Sequence, residues 1–66
     1  MTLIVNGAER ELPAGSTVAT LLESLELGRA GTAVAVDGEV VPRARHAETV
    51  LPDGAVVEVL TAVQGG

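Results

Sequence analysis

The chain has 66 residues, nine acidic against four basic, no cysteine and no aromatic residue other than His46, for a net charge of −5. A single small domain of this length buries only about 60% of its unfolded surface, so its stability is modest and a closed catalytic pocket is not expected. The acidic balance disfavours nucleic acid and anionic membranes and favours basic protein surfaces. The lack of cysteine excludes disulfides, thiolate metal sites and cysteine nucleophiles.

The N-terminal "TLIVNGAEREL" reads as a tight hairpin, because Asn6-Gly7 supplies the positive-φ pair of a type I′ turn. Leu3 and Val5 share one face of its first strand and Ile4 takes the other. In the second strand Glu9 and Glu11 alternate with Arg10 and Leu12, as on an exposed edge. "PAGSTVATLLESLELG" is the helix, with Val18, Leu21, Leu22 and Leu25 on one stripe and Glu23, Ser24 and Glu26 on the wet face. Ser16 or Thr17 can cap its start, and Gly28 stands where a left-handed residue would stop it.

"GTAVAVDGEVVP" predicts a second strand pair turning at Asp37-Gly38 and closed by Pro42. "RARHAETVL" has no clear period and reads as a loop with one helical turn. "PDGAVVEVLTAV" opens on a turn and becomes the last strand, with Val57, Val59 and Thr61 on one face and Val56, Glu58, Leu60 and Ala62 on the other. Its near-continuous apolar character predicts a central strand. The order ββαββ with one helix gives an α+β fold, a mixed sheet of four to five strands with the helix on one face. Pairing the last strand beside the first makes it a β-grasp, the ubiquitin-like arrangement. Residues 1–62 form the expected domain and 63–66 a flexible tail.

Little in the chain carries catalytic chemistry. His46 lies in a polar stretch with Arg43 and Arg45 and reads as a solvated surface histidine; no second metal ligand stands at a useful spacing. Ser16 and Ser24 are better used as cap and helix-surface residues, and the glutamates as solvated faces. No metal site and no bound cofactor are expected. The ending "LTAVQGG" is the exception. A frayed terminus is one reading of it. The other makes the carboxylate of Gly66 the reactive group, activated as an acyl-adenylate inside an ATP-using partner. Gly65 and Gly66 suit that task because a tunnel wall can close on a backbone without Cβ atoms.

With "IVNG", "GSTVATLLESL", "VDGEVVPR", "LPDGAVVEV" and the terminal Gly-Gly, the whole chain resembles the ThiS sulfur carrier proteins of thiamine biosynthesis. The resemblance implies that a ThiF-like adenylyltransferase, using ATP and Mg²⁺, adenylates Gly66. A cysteine desulfurase or rhodanese-type donor then leaves a thiocarboxylate, and a ThiG-like thiazole synthase accepts the sulfur. It also implies a carrier with no catalytic residue of its own. Members often carry an aromatic a few residues after Val-Pro-Arg, where this chain has His46. The partner-binding surface is expected to include Ile4, Leu60, Ala62, Val63 and Gln64. With no signal peptide and no long apolar run, a cytoplasmic location is expected.

Other readings share the same residues. One is a sulfur carrier for molybdopterin or cysteine biosynthesis, and another a non-catalytic β-grasp binding module with an idle terminus. Ubiquitin-like tagging is a third, but the chain has no lysine on which to build chains.

Overall fold

A computed structural model describes residues 1–26 and 32–61. Strands β1 (Thr2–Val5) and β2 (Ala8–Glu11) are followed by helix α1 (Val18–Ser24), strands β3 (Thr32–Val36) and β4 (Glu39–Val41), a 3₁₀ turn at Arg43–Arg45, and strand β5 (Val56–Thr61). They form a five-stranded sheet in the order β2-β1-β5-β3-β4, with α1 across one face. β5 runs parallel to β1, with Ile4 opposite Val56, and antiparallel to β3, with Val34 opposite Val59. The last strand is therefore central and pairs beside the first, as the β-grasp expectation required.

Both hairpins turn on the residues the sequence nominated. Asn6 and Gly7 have φ of 51° and 83°, and Asp37 and Gly38 have 50° and 87°. Two consecutive left-handed residues match the twist of the flanking strands, which ordinary turns would splay. The side chains of both leading residues then reach β5. Asp37 Oδ1 accepts from the Val56 N–H at 2.9 Å, and Asn6 engages Val59.

Alternation decides what is buried. Leu3, Val5, Val34, Val57 and Val59 point to the helix side and are buried with Val18, Leu21 and Leu22 of α1. Leu25, expected on the same stripe, packs only partly against this core. Leu51 and Ala55, from the segment before β5, complete it. Van der Waals contact and loss of water-exposed surface hold these groups, at about 1.5–3 kcal/mol per large aliphatic side chain.

The start of α1 shows why residues 46–51 lie against it. The first N–H groups of a helix have no partner within it. Here Thr17 Oγ1 accepts from Thr20 N–H, the Thr49 carbonyl from Val18 N–H, and the His46 carbonyl from Ala19 N–H. Thr17 is thus the cap, while the Ser16 hydroxyl turns back to the Pro13 carbonyl at 2.7 Å. A left-handed residue follows the helix at Glu26, with φ of 60°. The helix ends at Ser24 with Leu25 as its C-cap, and Gly28, expected as the left-handed stop, lies outside the described residues.

Candidate functional site: the open sheet face and the root of the tail

The helix covers one face of the sheet and leaves the other open. Cross-strand register places Ile4, Val56, Glu58, Leu60, Ala33, Ala35 and Val40 on that open side. Leu60 is 70% exposed, Val40 76% and Val56 51%, while Ile4 is half-buried. Of the expected contact residues, Ile4 and Leu60 share this face. Ala62, Val63 and Gln64 lie outside the described residues, as do Gly65, Gly66 and the expected domain boundary at residue 62.

Val40, Val56 and the two alanines were missing from the expected contact set. Val56 is legible in the alternation of β5, but Val40 joins the patch only through the β3–β4 pairing that sets it opposite Ala35. Exposed apolar side chains grouped on one face of a small domain make that face the candidate contact surface.

Charge on this face is one-sided. Glu9 stands opposite Ile4, Glu11 opposite Thr2, and Glu58 opposite Ala35. Arg10, opposite Leu3, belongs to the helix side of β2. Among the described strand residues the charged side chains on this face are Glu9, Glu11 and Glu58, with the Met1 ammonium 3.9 Å from Glu11.

His46 corrects the sequence reading. It is 2% exposed rather than solvated. Its Nε2 lies 3.1 Å from the Val41 carbonyl and donates to it, and its Nδ1 has no partner among the described residues. The polar neighbours Arg43 and Arg45 suggested a wet loop. The 3₁₀ turn instead points its C-cap residue, His46, inward, and the His46 backbone carbonyl accepts from α1. Position within the turn, invisible to composition, decided the matter.

Among the described residues, two shallow concavities flank the sheet. One is lined by Val36, Val40, Val41, Pro42, Arg45 and Thr49 among others, at the β4 edge. The other is lined by Val5, Asn6, Arg10, Leu25, Val59 and Thr61. Thr61 ends β5, and the chain continues from it toward Gly66. Among the described residues no group of three or more His, Cys, Asp or Glu could hold a metal, and no helix is long and apolar enough to cross a membrane. The arrangement sets an open apolar face on the same strand, β5, that precedes residues 62–66 in the chain.

Comparison with known proteins agrees with this geometry. The ThiS family profile matches residues 3–66. The sulfur carrier protein ThiS of Escherichia coli K12 is 33% identical over 66 residues, covering 100% of both chains. A thiazole synthase of Paramagnetospirillum magneticum is 35% identical over 66 residues, spanning this whole chain but 20% of that protein. The crystal structure of a thiamine biosynthesis protein (ThiS) from Geobacter metallireducens superposes with a TM-score of 0.82 at 33% identity, over 100% of both chains. A solution structure of a thiamine biosynthesis protein from the same organism gives 0.78 at 33% identity, over 100% of this chain and 88% of that one.

Proposed function

The chain belongs to the ThiS family, and from that premise we propose that it carries sulfur for the thiamine thiazole ring as a thiocarboxylate on Gly66. It is a sulfur carrier, and a ThiG-like thiazole synthase is its acceptor partner. In the finer reading it is a co-substrate that other enzymes act upon.

A carboxylate at neutral pH is ionised and a poor electrophile. A ThiF-like adenylyltransferase, with ATP and Mg²⁺, converts the Gly66 carboxylate to an acyl-adenylate and releases pyrophosphate. Sulfur from a cysteine desulfurase or rhodanese-type donor attacks the acyl carbon, and AMP leaves with the oxygen. A persulfide donor leaves an acyl disulfide, which a thiol reduces to the thiocarboxylate.

The observation that carries this reading is the placement of the central strand. β5 bears Leu60, exposed on the open apolar face opposite Ala33, and ends one residue later at Thr61. From there Gly66 lies five positions on, a reach of at most about 17–18 Å. A basic partner that grips the open face therefore holds the strand from which the chain end departs. Opposite charge also speeds encounter, an effect that salt screens.

Intact mass tests the reading. A first measurement on the isolated protein establishes that Gly66 is its last residue. After incubation with ATP, Mg²⁺, the ThiF-like enzyme and a sulfur source, the mass is expected to rise by the replacement of one oxygen with sulfur. An unchanged mass with an enzyme that activates its own carrier rules the reading out.

A further inference from the structure

The side-chain amide of Asn6 makes two hydrogen bonds to one distant residue. Its Nδ2 donates to the Val59 carbonyl at 3.0 Å, and its Oδ1 accepts from the Val59 N–H at 2.9 Å. Backbone pairing from β1 to β5 ends just before, where the Asn6 N–H donates to the Val57 carbonyl at 2.9 Å. Beyond that point β1 has turned away into its hairpin. The amide of Asn6 stands in for the missing peptide group and carries the parallel ladder on to Val59, two residues short of Thr61.

The turn itself does not require this. A φ of 51° is met by glycine, and aspartate also tolerates it, but neither supplies both a donor and an acceptor. The other hairpin is an internal comparison. Asp37 holds the equivalent turn position with φ of 50°, and its Oδ1 accepts from Val56 N–H at the opposite end of β5. Both ends of the central strand are gripped by a turn side chain. Asp37 adds a backbone bond, its N–H donating to the Val56 carbonyl at 2.7 Å, whereas Asn6 makes both of its bonds to Val59 with the side-chain amide, at the end of β5 nearer Gly66 in the chain.

We propose that Asn6 is a positioning residue for the chemistry at Gly66, fixing the root from which the tail is presented to the activating enzyme. The proposal rests on the reading of Gly66 as the reactive carboxyl. The residues after Thr61 are led from that root into the partner, so a shift of Val59 relative to Leu60 on the open face moves the point at which they enter its site. Misplacement of a reacting group by about 1 Å can cost up to a hundredfold in rate. Leu60 on the open face and the tail beyond Thr61 reach the partner in one fixed relation only while Val59 is held.

The test compares wild type, Asn6→Gly, Asn6→Asp and Asp37→Gly in steady-state adenylation with the ThiF-like enzyme, ATP and Mg²⁺, alongside thermal unfolding and amide exchange at Val59. Asn6→Gly is expected to fold, to exchange faster at Val59, and to lose roughly tenfold or more in kcat, with KM within about twofold. Asp37→Gly is expected to lose a similar increment of thermal stability with kcat unchanged. Asn6→Asp, which keeps the acceptor and loses the donor, is expected between them, and it carries the comparison should Asn6→Gly not fold. Equal losses of kcat in the two glycine variants, or an unchanged kcat in Asn6→Gly, overturn the proposal by making Asn6 a stabilising residue only. Failure of the wild type to be adenylated overturns the Gly66 reading itself, and the proposal with it.

Discussion

His46 and Val41 close a loop across the end of β4: the imidazole Nε2 donates to the Val41 carbonyl at 3.1 Å, from a side chain that is 2% exposed. The same residue's backbone carbonyl accepts from Ala19 N–H in the first turn of α1. One residue thus ties the β4 edge to the helix.

Replacing His46 with Ala should therefore cost about 2–4 kcal/mol, from the lost hydrogen bond and the cavity together. His46→Phe keeps most of the volume and should cost less, about 1–2 kcal/mol. Urea denaturation of the three proteins measures both. A His46→Ala variant within about 0.5 kcal/mol of wild type would return the residue to the surface class.

Leu51 belongs to the core although it lies outside every strand and helix, at 2% exposure. Its N–H donates to the Ser16 carbonyl, and the adjacent Val50 bridges to Thr17. Leu51→Ala should lose about 2–5 kcal/mol, a large fraction of the stability of so small a domain. The half-buried Leu12, truncated the same way, should lose less. Thermal melts that rank them in the opposite order would contradict the placement of Leu51.

On the open face, Leu60→Asp should leave the fold intact, since Leu60 is 70% exposed. Affinity for the activating enzyme should fall by about tenfold or more if Leu60 is a central anchor. Glu23→Ala, on the wet side of α1, should bind like wild type. Association of the native protein should also slow as salt rises. Titration calorimetry that finds a folded Leu60→Asp protein binding normally would move the docking site off this face.

Removing Gly65-Gly66 should leave the melting temperature nearly unchanged, since two glycines have no side chain to bury, and abolish adenylation. Adding one residue after Gly66 should also block the reaction, by displacing the acyl carbon about 3.3–3.6 Å from the nucleotide. An extended protein adenylated at the wild-type rate, with no trimming seen by mass, would refute the terminal-carboxylate mechanism.

Much of this protein is written locally. Asn6-Gly7 and Asp37-Gly38 specify their turns because backbone conformation depends on the residue's own side chain. Val18, Leu21 and Leu22 specify a buried helical stripe because a period near 3.6 aligns them, and alternation in β5 assigns Val57 and Val59 to the core. Those signals were enough for the helix, the two hairpins, the central position of β5 and the family resemblance carried by the Gly-Gly ending, while the order ββαββ is one strand short of the observed five.

What depended on contacts between distant segments was not legible. The burial of His46 follows from how the 3₁₀ turn meets α1, and the chain around it is polar enough to suggest the opposite. Val40 joins Leu60 on one face only once β3 and β4 have paired. Asn6 announces its turn in the sequence, but its grip on Val59, 53 residues away, exists only where the parallel pairing of β1 and β5 brings them together. A residue's backbone preference is set by its own atoms, whereas its burial and partners are set by whichever strand the fold lays beside it.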